Sequence, residues 1–287
     1  MLLRSLIGAV GLALLCAGAA GAQTGSQPAF DQSRYPDWKG QWLRTGRGNG
    51  NAWDPTKPIG LGEQAPLTAE YQLIFEENLK DQAAGGQGID PTSTCLSPGM
   101  PRIMTAYEPM EIVITPETTH ILMEHIHDSR RIYTDGRGWP QEIEPSFAGY
   151  SIGQWRDPDG SGRYSVLEVE TRGFKGPRTY DAAGIPLHKD NQTVIKERFY
   201  LANGSNDRLE DEITINDHAL TRPWTVTKHY HREAAQRPVW RESVCAENNS
   251  HVQIGAQHYY LSASGELMPA KKDQAPPDLK FFNQTKK

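Results

Sequence analysis

The chain has 287 residues, a formal net charge of −5 and 37 % hydrophobic residues. That length allows one large domain or two small ones. The acidic balance argues against a nucleic-acid partner or an anionic membrane surface.

Residues 1–22 read as a signal peptide. Arg4 supplies the charged start, residues 6–17 an apolar run, and Ala20-Gly21-Ala22 a small-residue cleavage site. The run is too short to span a bilayer comfortably, and Leu15 before Cys16 disfavours a lipoprotein signal. Cleavage removes one positive charge, Arg4, and takes the net charge from −5 to −6. The expected mature chain is periplasmic or secreted, with no integral membrane segment. Only Cys95 and Cys245 remain in it, and an even pair in an oxidising compartment suggests one disulfide, with two unpaired thiols as the alternative.

Residues 23–66 are expected to form an extended arm and loops, with Trp38 and Trp42 as a short strand or packing arm. Residues 46–62 are rich in Gly, Asn and Pro, which marks loop. Residues 67–84 predict one N-terminal amphipathic helix. Thr68 can cap it, Tyr71, Ile74, Phe75 and Leu79 make its apolar stripe, and Gly85-Gly86 ends it.

From Met110 the period becomes two. Strands are predicted over residues 111–115, 120–127, 131–134, 149–155, 164–171, 193–201, 209–216 and 224–231. Turn residues separate most of them, including Asp135-Gly136, Asp159-Gly160 and Asn203-Gly204. The series predicts a mainly β fold: an antiparallel meander closing into a lipocalin-like barrel, or else a β-sandwich. Residues 85–268 are expected to form a single β-rich domain and residues 269–287 a loose polar tail.

Several residue patterns carry candidate chemistry. His125-Ile-His127 and His229-Tyr-His231 are two H-x-H pairs. On strands, each pair would offer two imidazoles on one face to a metal. The bland alternative is solvent-facing histidines, and no cofactor is otherwise implied. Glu197 lies on a face with Ile195, Phe199 and Leu201, where a carboxylate needs a cation partner such as Arg131 or a raised pKa. Arg131 and Tyr133 share a face of their strand. They could serve a cavity with Glu197, or form a surface pair instead.

Two further patterns have formal matches only. Asp157-Pro-Asp159-Gly-Ser161 resembles a calcium loop in letters, but it lies between strands and reads as a hairpin turn. Gly149-Tyr-Ser151-Ile-Gly153 matches G-x-S-x-G without the helix that such a nucleophile requires. The glycines are better explained as thinning a strand for close packing.

Ala65-Pro-Leu-Thr-Ala-Glu-Tyr, Cys95-Leu-Ser-Pro-Gly-Met-Pro-Arg, Arg130-Arg-Ile-Tyr-Thr-Asp-Gly-Arg, Gly149-Tyr-Ser-Ile-Gly-Gln-Trp, Leu167-Glu-Val-Glu-Thr-Arg-Gly-Phe and Ala219-Leu-Thr-Arg-Pro-Trp resemble motifs of a family of exported bacterial proteins without an assigned activity. The resemblance runs from Trp38 to about His231. It implies a secreted β-rich domain and no particular reaction.

The leading expectation is a barrel that binds a small, partly apolar molecule among Trp155, Phe199 and Trp224. A second is a cofactor-free lyase, isomerase or hydrolase, with Glu197 or His125 as general base and Arg131 with Tyr133 stabilising negative charge. A third is a metal-dependent enzyme using His125, His127, His229 and His231. A fourth is a structural envelope protein.

Overall fold

Nine strands close into a barrel in the order β1 to β9, each hydrogen-bonded to its neighbour in sequence and β9 to β1. They are β1 (Gln41–Arg44), β2 (Met110–Ile114), β3 (Thr118–Met123), β4 (Ser129–Tyr133), β5 (Tyr150–Arg156), β6 (Val166–Arg172), β7 (Val194–Leu201), β8 (Arg208–Asn216) and β9 (Trp224–Arg232). The computed structural model describes residues 30–45, 65–202, 204–235, 237–241, 245, 250–254 and 257–277. The expected signal peptide therefore lies outside the described residues, as do residues 23–29 and 46–64 of the expected arm and 278–287 of the expected tail. No helix among the described residues is long and apolar enough to cross a membrane.

The closed barrel is as expected, and the sandwich alternative falls away. The meander is not wholly antiparallel, however. Strands β4 and β5 run parallel, pairing Ile132 with Ser151 and Tyr133 with Ile152. The cause is the connection between them. Asp135-Gly136 does not close a hairpin; residues 134–149 instead carry the chain back to the end at which β4 began. A parallel neighbour requires such a crossover. Phe147 holds this connection in place: its carbonyl accepts the Met100 N–H at 3.0 Å.

The barrel closes through Leu43 opposite His231 and Arg44 opposite Tyr230. Of the two tryptophans, Trp42 therefore lies in a true strand, and Trp38 precedes it as a packing arm. Trp42 packs inside, and its indole N–H donates to the Trp38 carbonyl at 2.9 Å. Along β7, β8 and β9, burial alternates residue by residue. Ile195, Glu197 and Phe199 point inward from β7, Leu209, Asp211, Ile213 and Ile215 from β8, and Trp224, Val226, Lys228 and Tyr230 from β9.

Helix α1 (Ala69–Ala83) lies outside the barrel, capped by the Thr68 side chain. Tyr71 and Phe75 are buried, Ile74 and Leu79 half-buried, and Asn78 is buried as well. Asn78 is there for its hydrogen bonds: it donates to the Ala183 carbonyl at 2.7 Å and accepts the Ile89 N–H at 2.9 Å. These bonds fix α1 to the long β6–β7 connection and to the segment that follows the helix.

A second, three-stranded sheet joins β10 (His251–Ile254), β11 (Gln257–Leu261) and β12 (Leu267–Pro269). The Cys95–Cys245 disulfide ties the chain just before this sheet to the segment following α1, across 150 residues. Residues 269–274, placed by the sequence reading in the loose tail, dock on α1. Lys271 Nζ lies 2.9 Å from Asp81, and the Lys272 N–H donates to the Ala84 carbonyl at 3.3 Å.

Candidate functional site

The barrel interior is occupied by side chains, and ionic ones stand among them. Glu197 is completely buried at the middle of β7, as its parity with Ile195 and Phe199 requires. Its partner is Arg130, not Arg131. The Arg130 guanidinium grips both Glu197 oxygens, at 2.7 Å on Oε1 and in an even closer contact on Oε2. It also donates to Thr171 Oγ1 at 2.9 Å, and Thr171 and Ser151 share a hydrogen bond of 2.8 Å. Ser151 is thereby a buried member of a polar core, and no helix follows it.

The sequence held only a faint signal for Arg130, one parity match in a five-residue strand. Ile132 is the apolar residue of β4, and Arg130 has its parity. Arg131 and Tyr133 have the other parity and lie on the outer side of the barrel, Arg131 exposed. Tyr133 packs there against Tyr150, at 4.9 Å between ring centres, and under the Arg137 guanidinium. The structure therefore does not bring Glu197, Arg131 and Tyr133 together.

Asp211 is the more unusual interior group. It is fully buried, with Lys228 opposite it on β9. Neither of its carboxylate oxygens has a hydrogen-bond partner among the described residues. Burial, then the nearby Glu197 charge, holds its pKa well above the usual carboxylate range, against the pull of Arg130 and Lys228. Lys228 in turn faces the Tyr180 ring at 5.2 Å.

The aromatic residues expected to line a ligand cavity fill the barrel instead. Trp155 and Phe199 pack with Trp38, at 5.0 and 6.4 Å between ring centres. Trp224 packs with Tyr180 at 4.9 Å. Two elements outside the strand series, the Trp38 arm and the β6–β7 connection, thus supply the side chains that pack against these aromatics.

The histidine pairs do not converge. Strand β3 stops at Met123, and His125–His127 form a 3-10 turn with Ile126 at φ 55°. The predicted strand through His127 is corrected accordingly, and with it the premise that His125 and His127 share a strand face. His125 Nδ1 lies 3.2 Å from Glu108. That hydrogen bond, working against burial, pulls the Glu108 carboxyl down to about 2. The side chain of His127 lies outside the described residues. His229 and His231 do share the outer face of β9, separated from β3 by β1 and β2 in the barrel order. His229 pairs with Glu210 at 3.4 Å.

The calcium-like loop is a hairpin turn. Asp157 accepts the backbone N–H of Ser161 at 3.1 Å and of Gly162 at 2.7 Å, so its oxygens close the turn. Glu168 sits on β6 and pairs with Arg156 at 2.7 Å.

A well-formed concavity lies outside the barrel. It is a cleft of about 820 Å³ between the C-terminal half of α1, residues 86–96 and the small sheet. Ile74, Ile89, Leu96 and Pro177 form apolar wall, and Asn78, Asp90, His258 and Gln274 contribute polar groups. Several of the polar groups are already anchored. Asp90 holds Arg102 at 3.1 Å, and Gln274 donates to the His258 carbonyl at 2.8 Å. His258 differs: its Nδ1 is buried without a hydrogen-bond partner among the described residues. Burial lowers its pKa, which favours the neutral ring. The sequence held no signal for this site, because its walls come from segments far apart in the chain.

No protein-family profile matches the chain, and no curated protein matches it.

Proposed function

We propose that this chain is an exported barrel protein that binds a small, partly apolar molecule, and that it does so in the cleft beside α1 rather than inside the barrel. The observation that carries the reading is the cleft itself. Its volume of about 820 Å³ falls in the range of small-molecule sites, and its wall mixes apolar side chains with a few polar ones. The buried, unbonded Nδ1 of neutral His258 offers either a donor or an acceptor for a ligand group. Export is supported by the leader-like residues 1–22 and by a disulfide, a bond that persists in oxidising compartments.

Native mass spectrometry of protein purified without denaturation from its own host tests this reading. A bound small molecule is expected in the unaltered chain and lost in Ile89→Trp, which places an indole on the cleft wall. Protein that carries no ligand from its host, or a ligand retained in Ile89→Trp, would sink the proposal.

A further inference from the structure

We propose that His188, Asp190 and His218 form a binding site for one divalent transition-metal ion. His188 and Asp190 stand in the β6–β7 connection and His218 in the β8–β9 turn, so two segments distant in sequence meet at the Val194 end of β7. Among the described residues these are the one group of three metal-ligating side chains, with ligand atoms all within 4.8 Å of one another. His188 Nδ1 lies 3.0 Å from Asp190 Oδ1, and His218 Nδ1 2.5 Å from Asp190 Oδ2.

The two imidazoles already converge on one carboxylate. Asp190 Oδ1 faces His188 Nδ1 and takes the Gln192 N–H at 3.1 Å, and the Asp190 N–H lies 3.1 Å from the same ring nitrogen. A metal ion would replace the protons shared between Asp190 and the two rings, with one lone pair of each imidazole and a carboxylate oxygen as its ligands.

The surroundings brace the ligands, as hydrogen-bonded neighbours do around metal ligands. Asp217 accepts the His188 N–H at 2.9 Å, the Ala219 N–H at 2.7 Å and the Thr193 hydroxyl at 2.5 Å. One carboxylate therefore fastens both ligand-bearing segments. Arg178 donates to Asn191 Oδ1 at 3.2 Å and to the His188 carbonyl at 3.3 Å. The Tyr71 ring packs on His188 at 5.3 Å.

The donor set names the class of ion. Two imidazole nitrogens and one carboxylate suit Zn²⁺, Co²⁺ or Ni²⁺, whereas Ca²⁺ and Mg²⁺ favour oxygen ligands throughout. Three protein ligands leave a fourth position for water, as in open zinc sites. This inference is independent of the cleft.

The test is titration of tag-free, chelator-stripped protein with Zn²⁺ by calorimetry and with Co²⁺ by visible absorption. One equivalent per chain and a four-coordinate Co²⁺ spectrum are expected. His218→Ala and Asp190→Asn should each lower Zn²⁺ affinity by at least about 100-fold, beyond what residues that merely orient a ligand contribute. His231→Ala, on the outer face of β9, should leave affinity unchanged. The metal-free unfolding curve of His218→Ala should match the parent, since His218 is 64 % exposed. Binding below one equivalent, or equal affinity in His218→Ala, overturns the proposal. Loss of binding in His231→Ala does so too.

Discussion

At the scale of single residues, the Glu197–Arg130 pair decides what the barrel centre can do. Both side chains are at most 1 % exposed, so a substrate arriving from solvent cannot reach the carboxylate. The pair is structural. Removing one partner strands a buried charge, so Glu197→Gln or Arg130→Met should cost about 3–5 kcal/mol, read from denaturant unfolding. The double variant Arg130→Met with Glu197→Leu should cost clearly less than the two single changes together, because no charge is left unpaired. Simple additivity would show that the two residues do not act as a unit.

Asp211 makes a different prediction. Its native pKa lies above its unfolded value, chiefly through burial. The native state then holds a proton that the unfolded chain releases more readily. The stability this contributes is complete below the ordinary carboxylate range and is lost as pH rises through the native pKa. Asp211→Asn mimics the protonated form, so it should gain stability relative to the parent as pH rises from about 4 to 8. Unfolding profiles that stay parallel across that range would refute the buried-acid account. Reading the sequence identified Glu197 as an inward carboxylate needing a cation. It missed the right cation by one residue, because a short strand with a single apolar residue gives little parity information.

At the scale of elements, the disulfide and the small sheet form one mechanical unit. The bond closes a loop of 150 residues, for which chain-entropy arguments give at most about 5 kcal/mol of stabilisation. Cys245→Ser should lower stability by up to that amount. It should also raise amide exchange first in β10 to β12, which have few other ties to the body: Gln87 to the Tyr260 hydroxyl at 2.6 Å, and His251 to the Ser93 carbonyl at 3.0 Å. Uniform loosening of the whole barrel, with no preference for this sheet, would contradict the picture. The cysteine pair was legible from its count alone. The end of β3 was not: period-two reading carried the strand through His127, whereas Ile126 takes a left-handed backbone that breaks it. A β-branched residue at positive φ is an outlier that sequence patterns do not anticipate.

At the scale of the molecule, the barrel is a filled scaffold and its concavity is external. Nine strands enclose a lumen taken up by Trp42, Trp155, Phe199, Trp224 and the ionic core. Small barrels can be packed solid or hold a ligand, and side-chain volume decides between the two. The external cleft lies where α1, residues 86–96 and the small sheet meet, and the disulfide ties residue 95 to the chain before that sheet. A ligand there should stabilise the small sheet against exchange more than the barrel, which separates cleft binding from binding in the lumen.

What the sequence determined by itself is the class of structure and its local punctuation. Alternation along the strands, the Thr68 cap, the Gly85-Gly86 stop and the Asp159-Gly160 turn are all short-range signals, and each states its own conformation. Only the tertiary structure decided the parallel β4–β5 pair, the choice of Arg130 over Arg131, the filling of the lumen, and the meeting of His188 and Asp190 with His218. Those depend on which distant segments share space once the barrel closes. Closure is a global condition on strand order and register, which no single stretch of residues encodes.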